Sequence, residues 1–154
     1  MVSSELDGFD HKILACLKRE GRMTITDLAR HVGLSKTPCQ ARVKRLERDG
    51  FILGYQAILS HEKLGAGHIA FIQVTLSSTR HEALEAFNKA VRQISEVEQC
   101  HMTAGGFDYL LKIRTKDISS YRRVLGEKLS SLPHVAHTST FVCMESVIDS
   151  GMNE

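Results

Sequence analysis

No stretch of this sequence approaches the ~20 consecutive apolar residues that span a bilayer, and its N-terminus has no apolar core of the secretory-signal kind. Those absences argue against a membrane helix and lead us to expect a cytoplasmic protein. Cysteines are few and scattered. Cys16, Cys39, Cys100 and Cys143 include no CxxC pair, which suggests neither a zinc site nor a disulfide framework. Reduced thiols are expected. Net charge is also small, +2 over 154 residues, and the hydrophobic share of 42% and charged share of 25% are those of an ordinary globular chain. That length is enough for one compact domain or two small ones.

What charge there is lies unevenly. Residues 1 to 63 hold 11 Lys/Arg against 8 Asp/Glu, whereas residues 64 to 154 hold 9 against 10. Residues 36 to 48 alone carry five bases and one acid. A block of that kind points to a polyanionic partner for the N-terminal part.

The first fifty residues read as three helices. "LDGFDHKILACLKREGR" offers Asp7 or Asp10 as an N-cap, Ile13, Leu14 and Leu17 at helical spacing, and Gly21 as a stop. "MTITDLARHVG" is a shorter helix with Thr24 or Thr26 near its cap, and Gly33 permits the left-handed residue of a sharp reversal. The third helix starts between Ser35 and Thr37 and ends at Asp49–Gly50. Thr37 and Gln40 have capping-box spacing, and a start at Ser35 is equally admissible. Short helix, glycine turn, basic helix is the order of a helix-turn-helix.

At 100° per residue, Cys39, Val43 and Leu46 fall within an arc of about 60°, a narrow apolar stripe facing the first two helices. Thr37, Ala41, Lys44, Arg45 and Arg48 lie on the other side, with Gln40 on the shoulder and Ser35 and Lys36 at the start of the helix. An isolated basic helix is more often a solvated surface. Behind a glycine turn, the same face fits a recognition helix in duplex DNA. Gln40 suits adenine, Ala41 or the Thr37 methyl suits a thymine methyl, and the bases suit phosphates.

Beyond Gly50, "FILGYQAILS" reads as a short hairpin or an extended arm, leading to a linker over residues 61–67. The remainder alternates by type: strand (HIAFIQVTLS), helix (HEALEAFNKAVRQI), two strands (VEQCHMT, FDYLLKIRT) joined through Ala104-Gly105-Gly106, helix (ISSYRRVLGEKLSSL), strand (VAHTSTFVCMESV). This β-α-β-β-α-β order is that of the ferredoxin-like split βαβ motif, with both helices on one face of an antiparallel sheet. The fold class is therefore α+β. The other sheet face, carrying Phe71, Tyr109 or their neighbours, needs a cover, and a second subunit is expected to supply it.

"LDGFDHKIL", "LARHVGLSKTPCQARVKRLERDGFILGY", "FDYLLKIR", "YRRVLGEKLSSLPHV" and "TSTFVCMESV" together resemble the Lrp/AsnC family of bacterial and archaeal transcription factors. The likeness runs over nearly the whole chain. It implies a winged helix-turn-helix over residues 1–60, a regulatory ferredoxin-like domain over 68–148 and a tail over 149–154. It also implies dimers formed through the sheet domain, assembly into octamers or larger disks that wrap double-stranded DNA, and amino-acid effectors held between dimers. The family's effector turn commonly reads Thr/Ser-Gly-Asp-Phe/Tyr-Asp. Here it reads Ala104-Gly105-Gly106-Phe107-Asp108, lacking the hydroxyl and the first acid. Fewer side chains remain to grip an ammonium, so the turn's backbone N–H groups and Asp108 carry more, and an apolar effector such as leucine or proline is expected. Taken without the resemblance, the glycines would simply close a hairpin. Thr138 and Thr140 on the last strand are weaker candidates on the same resemblance.

Eight histidines show no ligand spacing beyond His134 and His137, and surface positions account for them. Cys39, on the inward stripe, reads as a structural thiol. No nucleophile, base and oxyanion hole are placed together, and no cofactor is implied. The sequence thus describes a DNA-binding regulator rather than an enzyme. An effector-independent packager of DNA and a small-molecule-sensing subunit without DNA binding are the rivals.

Overall fold

The computed structural model describes residues 5–149, and the chain divides into two compact units between Ala57 and Ile58. Residues 150–154 of the expected tail lie outside the described residues.

In the N-terminal unit, α1 (Gly8–Arg19) begins at Asp7, whose carboxylate accepts the N–H groups of Phe9 and Asp10 while the Asp10 carboxylate accepts that of Asp7. Both candidate caps are thus used, one as N-cap and one as its capping-box partner. The helix stops at Arg19, just short of Gly21. Helix α2 (Ile25–Val32) starts at Thr24, whose hydroxyl accepts the Asp27 N–H, and closes on Gly33 in the left-handed region at φ 79°. Helix α3 (Lys36–Arg48) starts at Ser35, so the Thr37–Gln40 capping box does not form. Ile13, Leu28, Ala29, Val32, Cys39, Val43 and Leu46 make the core, with Leu14, Leu17 and Ile52 packed against it.

Residues 52–60 run without strand pairing. Of the two readings for this stretch, the extended arm describes the structure and the hairpin is corrected. The start of the arm is fastened: the N–H groups of Phe51 and Ile52 donate to the Leu46 carbonyl, and the Tyr55 hydroxyl donates to Glu47 at 2.9 Å. Burial, then the Glu47 carboxylate, pushes the Tyr55 hydroxyl up to about 12.

The C-terminal unit is a four-stranded antiparallel sheet in the order β2-β3-β1-β4, built from β1 (His68–Leu76), β2 (Val97–Met102), β3 (Tyr109–Thr115) and β4 (Val135–Val142). Helices α4 (His81–Val91) and α5 (Ile118–Val124) contribute Phe87, Val91, Tyr121 and Val124 to the core beneath Ala70, Ile72, Val74, Leu111 and Ile113. The expected order of elements is present. After Val124 the helix widens into a π-turn, Leu125–Leu129, where the Ser130 N–H reaches back to the Leu125 carbonyl. The Ser130 and Ser131 hydroxyls bond carbonyls of that turn, satisfying groups that regular helical pairing would have used.

Alternation along β1 sorts the two faces. Phe71 lies opposite Phe141 and Lys112 on the face without helices, where Phe141 remains 53% exposed. Tyr109 does not share it. Its partner in register is Val74, an odd number of residues from Phe71, so Tyr109 points to the helices and packs on Phe87 with ring centroids 4.4 Å apart. The open face also carries ions. Asp149 accepts from Lys112 at 3.1 Å and from Arg114 at 3.2 Å, and Glu98 completes the cluster. Residues after β4 are thereby anchored to the sheet.

Candidate nucleic-acid interface and effector turn

Helix α3 owes its orientation to the apolar stripe. Cys39 and Leu46 are 0% exposed and Val43 is 6% exposed, so the positions opposite them must face outward. Ser35, Lys36, Thr37, Gln40, Ala41, Lys44 and Arg48 are all exposed. They form one continuous surface with small or planar polar groups toward the N-terminal end and cations further along. Arg48 donates to Asp49 at 2.9 Å, but its side chain keeps 73% of its exposure, so water screens the pair heavily. Burial pushes the Cys39 thiol up, which disfavours the reactive thiolate.

Arg45 departs from the expected arrangement. The wheel puts it among the outward bases, yet its guanidinium lies on the Asp10 carboxylate at 2.5 Å. Arg42 joins it there, 2.9 Å from Asp10 and 2.7 Å from Asp7, with its guanidinium 5.4 Å from the Phe9 ring centre. Asp10 is completely buried. Burial alone would raise its pKa, but the Asp7 N–H and the two guanidiniums outweigh that and hold it below the ordinary 3.8. Sequence reasoning found Asp10 as a cap but not as an anchor. A wheel assigns a direction to Cα–Cβ, and a long arginine can sweep round to a carboxylate 35 residues away in sequence.

In the second unit, the turn between β2 and β3 is held by the Thr103 hydroxyl, which donates to the Phe107 carbonyl at 2.9 Å, and by the Thr103 N–H on the Asp108 carbonyl. Ala104, Gly105 and Gly106 are exposed, and Phe107 and Asp108 are half-buried. Among the described residues, the N–H groups of residues 104–106 donate to no protein acceptor. Neither glycine takes a positive φ, so the turn lacks the alternating right- and left-handed pattern of a preformed anion nest. A Cβ added at either glycine meets nothing within 4 Å. The Asp108 carboxylate accepts the Leu76 N–H at 2.7 Å, tying the turn to the end of β1 and leaving its second oxygen for other partners. Thr138 lies opposite Val74, which in turn pairs with Tyr109 at the foot of the turn. Thr140 is further along β4, its hydroxyl 2.5 Å from that of Tyr121. Within one chain, then, the turn and Thr138 share one end of the sheet, while Thr140 is engaged elsewhere.

A model of the winged helix-turn-helix DNA-binding domain matches residues 6–52, and a model of the Lrp/AsnC ligand binding domain matches residues 69–152. The chain belongs to the Lrp/AsnC family. It is 61% identical over 150 residues to the proline dehydrogenase transcriptional activator of Rhizobium radiobacter, a match covering 97% of this chain and 96% of that protein. It is 47% identical over 143 residues to the leucine-responsive regulatory protein of Escherichia coli K12, covering 93% and 87% respectively. Among solved structures, the L-Met complex of a transcriptional regulator from Neisseria meningitidis superposes with a TM-score of 0.90 at 32% identity, covering 97% of both chains. As an Lrp/AsnC protein this chain is a DNA-binding transcriptional regulator with a ligand-binding domain, not an enzyme. Among the described residues, no helix is long and apolar enough to cross a membrane.

Proposed function

We propose that this regulator controls proline catabolism, reading duplex DNA with the outward face of α3 and responding to an apolar amino acid, proline foremost, at the turn over residues 104–108. The observation that carries the DNA reading is the continuous exposed surface of Ser35, Lys36, Thr37, Gln40, Ala41, Lys44 and Arg48, set opposite a buried stripe. Its polar N-terminal end suits base edges, and its cations suit phosphates. The 61% identity to a proline dehydrogenase activator supports the assignment to proline catabolism.

The effector reading rests on the unpaired N–H groups at residues 104–106, which suit a carboxylate, and on the remaining oxygen of Asp108, which suits a primary or secondary ammonium group. Ala104 and Gly106 supply no further polar side chain, so an effector with an apolar body is favoured. Thr138 completes this end of the sheet, and Thr140 belongs to the same strand. We further propose that the open sheet face joins two chains into a dimer, and that dimers meet around the effector turns in an octamer.

Thermal unfolding of the purified chain against each amino acid at millimolar concentration tests the effector. A ligand at 100 times its Kd adds about 2.7 kcal/mol of stability, a readily visible rise in melting temperature. Proline is expected to give that rise, and Asp108→Asn, which keeps an acceptor for the Leu76 N–H but removes the negative charge offered to the ammonium, is expected to diminish it. A rise with a charged amino acid alone, or with none, contradicts the proposal.

A further inference from the structure

We infer that Asp10 is a positioning residue for DNA recognition: it holds Arg42 and Arg45 against α1, so that neither neutralises a DNA phosphate and only Lys36, Lys44 and Arg48 remain as the phosphate-binding cations of α3. The inference rests on the assignment of the α3 face to DNA. Arg45 is placed one turn from both Ala41 and Arg48, so an outward rotamer would add it to that face. It is instead turned inward, onto a carboxylate with no solvent exposure.

The cluster is closed in charge, and both Asp10 oxygens are engaged. Asp10 Oδ1 accepts from Arg42 and Oδ2 from Arg45 and from the Asp7 N–H. Asp7 takes the remaining reach of Arg42. Two anions and two cations cancel, so the basic block of five residues presents three outward charges rather than five. A phosphate at the protein surface is screened by water and salt, whereas the Asp10 carboxylate is sheltered from both. Moving Arg45 to a phosphate would leave that buried charge half-compensated, which is strongly unfavourable. Binding through phosphates carries no sequence information, so holding two arginines back lowers affinity for unrelated DNA and favours discrimination by Thr37, Gln40 and Ala41.

The test is the salt dependence of binding by the full chain to a random-sequence duplex, titrated over a series of KCl concentrations. Each phosphate that is no longer neutralised makes the slope of log K against log salt shallower by about 0.9. Arg45→Gln is expected to leave the slope unchanged, and Arg48→Ala to make it shallower by one such step. Asp10→Asn retains an acceptor for the Asp7 N–H but releases Arg45, while Arg42 keeps its pair with Asp7. It is expected to steepen the slope by at least one step and to narrow the gap between specific and random DNA. A shallower slope for Arg45→Gln would show that Arg45 reaches a phosphate and would overturn the inference, whether or not Asp10→Asn folds. Unchanged slopes for Arg48→Ala and Lys44→Ala would overturn the α3 face itself, and this inference with it.

Discussion

Gln40 and Arg48 share one surface of α3, yet their chemistries assign them different work. A planar amide can bond both edges of an adenine, and a correct pair of that kind is worth about 1–3 kcal/mol against the wrong base. On the proposed DNA reading, a guanidinium at the far end of the helix would meet the uniform phosphate chain. Gln40→Ala is therefore expected to change the ranking of DNA sequences selected from a random pool. Arg48→Ala should weaken binding to all of them alike. Parallel losses from the two variants would contradict this division. The inward stripe was legible residue by residue, because burial of Cys39, Val43 and Leu46 follows directly from helical spacing. Arg45 was not, because its destination depends on Asp10, which neighbours it only in the fold.

At the level of elements, the same carboxylate clamps α1 to α3. Asp10 has its pKa held below the ordinary 3.8, so its stabilising contribution is complete above that value and disappears as pH falls through the depressed one. The N-terminal unit should accordingly lose urea resistance below about pH 4, with Asp10→Asn showing a flatter profile over that window. Circular dichroism melts of both proteins, taken from neutral to strongly acidic pH, read the difference. Parallel profiles would show that Asp10 is not part of the acid response. Other elements were legible to different degrees. Thr24 and Gly33 marked the ends of α2 because capping and left-handed turns have strict residue preferences. The π-turn after Val124 had no such mark, although the Ser130 and Ser131 hydroxyls bond back to its carbonyls. The arm beyond Ile52 has the composition of a strand, but a strand forms only where a partner edge exists, and composition does not reveal one.

At the scale of the whole molecule, the sequence order of strands and helices was enough to establish the sheet and its two-faced character. The faces themselves depended on register. Tyr109 and Phe71 part company because the pairing of Val74 with Tyr109 fixes their phase, which composition alone leaves open. Phe71, Phe141 and half-buried Leu110 remain on the face without helices. If that face joins two chains, Phe141→Asp should shift the sedimentation coefficient toward that of a monomer while the fold keeps its helical content. An unaltered coefficient would place the dimer interface elsewhere. The proposed effector turn was singled out by resemblance rather than by physics. Its residues are small and exposed, and nothing in their spacing distinguishes a binding turn from a hairpin.

The most direct test of the central claim is fluorescence anisotropy of a labelled duplex from upstream of a proline dehydrogenase gene, compared with a random duplex, with and without proline. The account predicts binding to the upstream duplex at least about a thousand-fold tighter than to the random one, and an affinity or stoichiometry that changes when proline is added. Equal binding to both duplexes, indifferent to proline, would contradict it.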